Sequence, residues 1–267
     1  MRNFNNCSMI VITMFLFFPF NLYSGDRLHI SLGDNYGKHA MVIDGKPAGI
    51  QKDLLDWFFK QNMKLNVQIE AMPWMRAQVL VEKTKQSDGY FTAYTKTRVD
   101  VLKLVTSKNP FYITTVKMHT WKGNPKIAAL SQLKSVDDLL RMDDIQHIFL
   151  RGSGYHEEQF NDAKLTYRLN SIRQIPKYLL DLKRADVFVE QSELFYPVAE
   201  EVGLIDKIQT LENIKFKRLH WHLYIRPDSK YVGLMNEIDE ALARAIADGT
   251  LLAKVEEIFA KYGLFIH

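Results

Sequence analysis

Apolar positions along the chain switch repeatedly between strand-like and helix-like spacing. Residues 28–32 (LHISL), 67–71 and 89–93 have strand character. Between the first two, residues 51–62 place Leu54, Leu55, Phe58 and Phe59 at helical spacing. Pro73 opens a second helix where its missing N–H costs nothing, with Ala77, Leu80 and Val81 on one face. The later half repeats the pattern. Ser135 caps a helix through Leu140, 145–150 is a strand, 155–160 begins a helix, 175–182 is helical and 186–189 is a strand. Two helices close the sequence, 234–248 stopped by Gly249 and 251–262 stopped by Gly263. Alternating β and α elements predict an α/β protein of open, mostly parallel sheets flanked by helices. Residues 111–120 and 218–225 are extended and polar-interleaved, and they stand about one domain's length apart. With no Pro/Ser-rich linker in the chain, these two stretches are the expected crossings between two lobes.

The N-terminus follows a different rule. Arg2 precedes an apolar run over residues 9–20 (MIVITMFLFFPF), and residues 21–25 turn small and polar. That order reads as a secretory signal peptide, residues 1–24, cleaved near Ser24 or Gly25. The run is too short and too Pro-broken to span a bilayer, although an uncleaved anchor is the alternative reading. The only cysteine, Cys7, lies ahead of the apolar core and leaves with the leader. An exported chain without cysteine forms no disulfide, no thiolate nucleophile and no Cys-ligated zinc site. Composition adds one exclusion. A net charge of +4, scattered and without a run of five like charges, disfavours a nucleic-acid partner.

Several short motifs carry a family resemblance over nearly all of the exported chain. Residues 44–54 (DGKPAGIQKDL) resemble the "dGk-x-x-Gf-x-x-Dl" opening of bacterial extracellular solute-binding proteins of the amino-acid type, family 3. Ser87-Asp88-Gly89, Thr95-Lys96-Thr97-Arg98 (T-x-x-R), residues 107–112 (SKNPFY), Arg151-Gly152-Ser153-Gly154-Tyr155 and residues 247–251 (ADGTL) follow in the family's order. Residues 73–77 (PWMRA) resemble a divergent branch of that group, often found without an obvious transporter partner. The resemblance implies a type II periplasmic-binding-protein (Venus-flytrap) fold. Lobe one would span 26–115 plus 226–267 and lobe two 116–225, with a ligand held between them. Two stretches depart from the pattern. Residues 36–39 (YGKH) replace an aromatic-Pro-Pro-Phe loop, and the segment from Asp88 to Arg98 is shorter.

The chemistry of such a site follows from residue types. A carboxylate leaving water is matched by a guanidinium through two parallel charge-assisted hydrogen bonds. Arg98, after a strand and a Thr-rich turn, is the candidate anchor, with Thr92, Tyr94 and Thr95 as further donors; a surface arginine paired with Asp100 or lying over Leu102 is the alternative. Gly152, Ser153 and Gly154, between a strand and a helix, can turn backbone N–H groups toward an anion, or simply form a βα turn. Tyr36 and Trp74 are candidates for stacking on the ligand. The family's acid for an α-amino group falls at Gln191, one place past Glu190. Either a bulge re-aims Glu190 or the site does not take an ammonium, and a purely structural glutamate at a strand end is the alternative. His220 and His222, two apart on a strand, face one side but lack a third metal ligand at recognisable spacing, so they are expected as solvent-facing or hinge histidines.

The expectation is a monomeric periplasmic solute-binding protein with no catalytic residue, metal or cofactor. It captures a small carboxylate-bearing, amino-acid-like solute and presents it to an ABC permease or a sensor domain. A sensing or scavenging protein without a transporter, and a dehydratase-like enzyme on the same scaffold, are the alternatives.

Overall fold

The structure, a computed structural model, describes residues 27–265. The leader expected over 1–24, with Cys7, lies outside them. Among the described residues no helix is long and apolar enough to cross a membrane. In chain order, β1 (His29–Gly33) leads into a small antiparallel meander, β2 (Asn35–Tyr36), β3 (Ala40–Ile43) and β4 (Lys46–Ala48). Helix α1 (Ile50–Asp56) widens into a π turn over Trp57–Asn62, followed by β5 (Gln68–Met72), α2 (Trp74–Glu82) and β6 (Gly89–Ala93). Strands β7 (Val105–Thr106), β8 (Tyr112–Thr114) and β9 (Lys117–Trp121) come next, then the short helices α3 (Ile127–Leu130) and α4 (Val136–Leu140). The middle of the chain holds β10 (Gln146–Leu150), α5 (Gly154–Gln159), β11 (Leu165–Leu169), β12 (Val187–Glu190), α6 (Ser192–Glu201) and β13 (Ile208–Leu211). The chain ends with β14 (Leu219–Ile225), α7 (Leu234–Ala247) and α8 (Thr250–Lys261).

Two larger sheets share one plan. The first has the order β5-β1-β6-β14-β7, with β8 also on β14; the second has β11-β10-β12-β9-β13. In each, the earliest strand of a parallel trio sits in the middle, and a fourth strand joins antiparallel. That fourth strand is the one that has just arrived from the other sheet. The chain crosses between β8 and β9, splitting the extended run 111–120 in two, and again between β13 and β14. The expectation that lobe two extends to residue 225 is therefore corrected. Residues 221–225 pair with β6 from Trp221–Ala93 to Ile225–Gly89, and 219–221 pair with β8, so β14 belongs to the first sheet. The alternation of His220 and His222 with apolar residues resembles an exposed strand, but His222 is buried and meets Ser107 through Nδ1.

Local chemistry explains most elements. Strand β1 buries Ile30 and Leu32, and α1 with its wide turn buries Leu54, Leu55, Phe58 and Phe59. Ser135 and Asp138 form a capping box at α4, each side chain bonding the other's backbone N–H. Pro73 sits one residue ahead of α2 in an extended conformation, not at the first helical position. Gly249, at φ 77, breaks the chain between α7 and α8.

Candidate functional site

The cleft between the two sheets is shaped by one arginine. Strand β6 ends at Ala93, and the chain turns through Thr95 into a wide helical turn, Thr97–Val101, that carries Arg98. Its side chain is only 4 % exposed. Nη1 donates to the carbonyl of Ala93 at 3.0 Å and to Thr95 Oγ1 at 3.2 Å. The guanidinium carbon lies 5.6 Å from the Trp74 ring centre and 5.7 Å from that of Tyr90. Nε has no partner, and no carboxylate of the described residues forms an ion pair with the group. The surface pairing with Asp100 is not realised. Glu82, which accepts from the Tyr90 hydroxyl, is the acid whose charge acts on it; a buried cation without a direct carboxylate partner is costly, and the rest of the cleft is arranged around it.

The second lobe closes against this turn at two glycines. Trp74, at the first position of α2, donates its indole N–H to the carbonyl of Gly152 at 2.8 Å. Gly152 stands at φ +74, and a Cβ there would meet Met75 Sδ at 2.4 Å. A Cβ on Gly154 would lie 2.8 Å from Thr95 Cγ2 and 2.9 Å from Arg98 Nη1. The neighbouring Glu158 accepts the N–H of Thr97 at 2.8 Å. Asn35 reaches across in the same way and donates to the Asn170 carbonyl. Glycine at 154 thus lets the backbone of lobe two approach the guanidinium of lobe one. Gly154→Ala is expected to weaken ligand binding about tenfold or more with little change in the melting temperature of the free protein, since a displaced donor geometry of this size is costly to recognition. Calorimetric titration and a thermal melt of the variant check both halves; unaltered affinity would place the glycine outside the closed contact.

A cavity opens between the two lobes. Arg98, Trp74, Tyr36, Thr92, Gln51 and Trp221 line it from the first lobe, and Arg151, Ser153, Gly154, Tyr155 and Asn170 from the second. Its floor is aromatic. Trp221 stacks on Tyr112 (5.4 Å between centres) and on His39 (5.8 Å), and Tyr36 meets it edge-on at 6.1 Å. Large flat faces with a few convergent donors suit a small organic molecule.

Of the ten residues expected in the site, Arg98, Thr92, Tyr36, Trp74, Ser153 and Gly154 line this cavity. The other four have different places. Thr95 stands behind Arg98, accepting from Nη1, while its own N–H donates to the Tyr224 hydroxyl. Tyr94 turns to a separate groove and meets His222 edge-on at 5.6 Å. Gly152 contributes its carbonyl to Trp74, and Ser153 Oγ accepts from the His156 N–H, capping a helix of six residues. Glu190 is 1 % exposed at the end of β12 and stands off the lining. Its carboxyl accepts from the Gln191 N–H at 2.9 Å, the Gln191 side chain at 3.2 Å and the Tyr36 hydroxyl at 3.3 Å. Burial outweighs these bonds and lifts its pKa from 4.5 to about 7. Gln51, Arg151, Tyr155, Asn170 and Trp221 were not expected. Arg151 and Tyr155 flank the Gly-Ser-Gly turn and Gln51 lies within the 44–54 motif, whereas nothing in the sequence marks Asn170.

No family profile matches the sequence, and no curated protein matches it. Solved structures do. The chain is similar to a histidine kinase sensor domain with similarity to periplasmic binding proteins, at TM-score 0.69 and 15% identity over 87% of this chain and 96% of that one. It is similar to an arginine-, lysine- and histidine-binding protein from Geobacillus stearothermophilus, at TM-score 0.67 and 16% identity over 88% and 95%. It is also similar to an ancestral amino-acid-binding protein, a precursor of cyclohexadienyl dehydratase, at TM-score 0.65 and 17% identity over 87% and 95%. At these identities the likeness is one of fold. The chain has the two-lobed periplasmic-binding-protein fold, with mixed α/β sheets flanked by helices.

Proposed function

We propose that this protein captures a small carboxylate-bearing solute between its lobes, outside the cytoplasm, and that the closed form is its output. One observation carries the reading: Arg98 is buried at the lobe junction with Nε unpaired and, among the described residues, no carboxylate in ion-pair contact, Glu82 acting on it only from behind Tyr90. A carboxylate supplies both the missing acceptor and the missing charge, in the planar two-pronged geometry that guanidinium favours. Contacts to both lobes then favour closure, since a ligand shifts a conformational equilibrium by its differential affinity for the two states. A free energy near −8 kcal/mol, micromolar affinity, is within reach of one such pair in a desolvated pocket.

The reader of the closed form is proposed to be an ABC permease, met by a monomer released from its leader in the periplasm. The likeness to a kinase sensor domain supports a second reading, in which a signalling domain takes the permease's place. Both are binding without turnover. Glu190, whose pKa burial lifts to about 7, stands behind Tyr36, and neither it nor the other acids with raised pKa values, Asp34 and Glu82, lines the cavity where a general acid would meet a substrate.

A thermal-shift panel of organic acids, amino acids, oligopeptides and small sugars tests the reading. A carboxylate at 100 times its dissociation constant is expected to add about 2.7 kcal/mol of apparent stability. Stabilisation by a neutral sugar alone would overturn it.

A further inference from the structure

The charges lining the cleft narrow the ligand class. Two arginines line the cavity, Arg98 from the first lobe and Arg151 from the second, and no Asp or Glu of the described residues lines it. Arg98 is buried, whereas Arg151 is exposed at the start of the turn before α5. The nearby acids are otherwise engaged. Glu158 accepts the Thr97 N–H at 2.8 Å. Glu82 accepts from the Tyr90 hydroxyl at 2.9 Å, behind the Arg98 side chain. Glu190 is enclosed by Gln191 and Tyr36. Asp34, beside Asn35, is half-buried and is not part of the lining. The remaining walls are the rings of Trp74, Tyr36, Phe91, Tyr155 and Trp221 with the amides of Gln51 and Asn170.

An ammonium entering this space would meet like charge on both sides and no carboxylate to replace its water, in surroundings where such repulsion is poorly screened. A second carboxylate meets the opposite situation. From this we infer that the ligand is a dicarboxylic acid lacking an ammonium group, one carboxylate on Arg98, the other toward Arg151, and a flat or apolar middle against the aromatic wall. This deepens the carboxylate-capture reading and rests on it. The position where an acid would receive an α-amino group is occupied by Gln191, and the neighbouring Glu190 is held by the Gln191 N–H and the Tyr36 hydroxyl.

Matched pairs of ligands test the inference by calorimetric titration of the chain from residue 25 onward. Glutarate is compared with L-glutamate, which adds an ammonium, and terephthalate with 4-(aminomethyl)benzoate, which replaces one carboxylate by an ammonium. Benzoate serves as the monoacid. The diacid of each pair is expected to bind at least about tenfold more tightly than its amino partner, one decade being 1.4 kcal/mol. Arg151→Gln is expected to shrink the gap between terephthalate and benzoate by about tenfold. Amino partners that bind as well as the diacids, or a gap indifferent to Arg151→Gln, overturn the inference and leave the carboxylate reading standing. Failure of every acid, with a neutral solute bound instead, overturns the carboxylate reading itself.

Discussion

Replacing Arg98 by methionine is expected to abolish carboxylate binding while leaving the ligand-free protein at least as stable as the parent. Truncating one partner of a buried, hydrogen-bonded charge pair costs about 2–5 kcal/mol, a loss of affinity from roughly thirtyfold to several thousandfold. The free protein responds differently, because its guanidinium touches no carboxylate, Glu82 acting on it only from behind the Tyr90 hydroxyl. It holds two hydrogen bonds, to Ala93 and Thr95, and lies against the Trp74 and Tyr90 rings. Against those contacts stands the cost of keeping a cation out of water, which effective penalties put at several kcal/mol per ion. Methionine keeps the contact with the rings and removes the charge. A melting temperature no lower than the parent's, together with lost binding by calorimetry, is the expected pair of results. Parental affinity in Arg98→Met would remove the anchor from the account.

Acidification from pH 7 to pH 4.5 is expected to lower stability steeply. His39, His119, His147 and His156 are all buried, and burial lowers each pKa from 6.5 to about 4. In that window the unfolded chain binds protons that the folded chain refuses. The histidines' contribution is therefore fully present above pH 6.5 and is lost as pH falls toward 4. Each is worth roughly 3 kcal/mol at full strength, at 1.36 kcal/mol per unit. Glu190 works the other way. Its folded value near 7 against 4.5 unfolded makes its contribution complete below pH 4.5 and lost as pH rises through 7. Asp34 and Glu82 are raised as Glu190 is, and His220 and His222 are lowered as the four histidines are; the more numerous histidines leave a net loss in acid, large beside a typical stability of about 5–15 kcal/mol. His39 is the most telling of the four, since both ring nitrogens lack a partner while the ring stacks on Trp221. His39→Phe is expected to flatten the slope measurably in urea titrations at pH 7.5, 6 and 4.5. Equal midpoints for the parent at pH 7.5 and 4.5 would contradict the assignment.

Elements carried by periodicity and caps were legible in the sequence. The β1, β5 and β6 strands, the α4 cap at Ser135 and the terminal helix pair with its Gly249 break all lie within a residue or two of where patterning puts them. Helix α6 was not, because Pro197 interrupts its apolar face and reads as a stop. Strand β14 was misassigned because partner choice is long-range: pairing with β6, more than a hundred residues away, leaves no mark on the residues between. The site divides the same way. Arg98 was legible from chemistry and motif together, since a guanidinium after a strand and a Thr-rich turn is the residue a carboxylate needs. Arg151 adjoins a motif that drew attention to its glycines instead. Asn170 comes from the second lobe and Trp221 from a strand placed beside β6 by long-range pairing, while Gln51 sits in the 44–54 motif without marking itself as a lining residue. Thr95 and Glu190 show the converse, as motif-adjacent polar residues spent on holding Arg98 and Tyr36 in place.

The most direct measurement follows the side chain itself. In nitrogen NMR of the arginine Nε–H groups, the signal that vanishes in Arg98→Lys identifies the anchor, and a dicarboxylate is then titrated into the parent protein. The account predicts that this one signal moves strongly and saturates with the binding isotherm, as an unpartnered donor gains an acceptor. A ligand that binds and saturates while the Arg98 signal stays where it was would show that the guanidinium serves something other than capture.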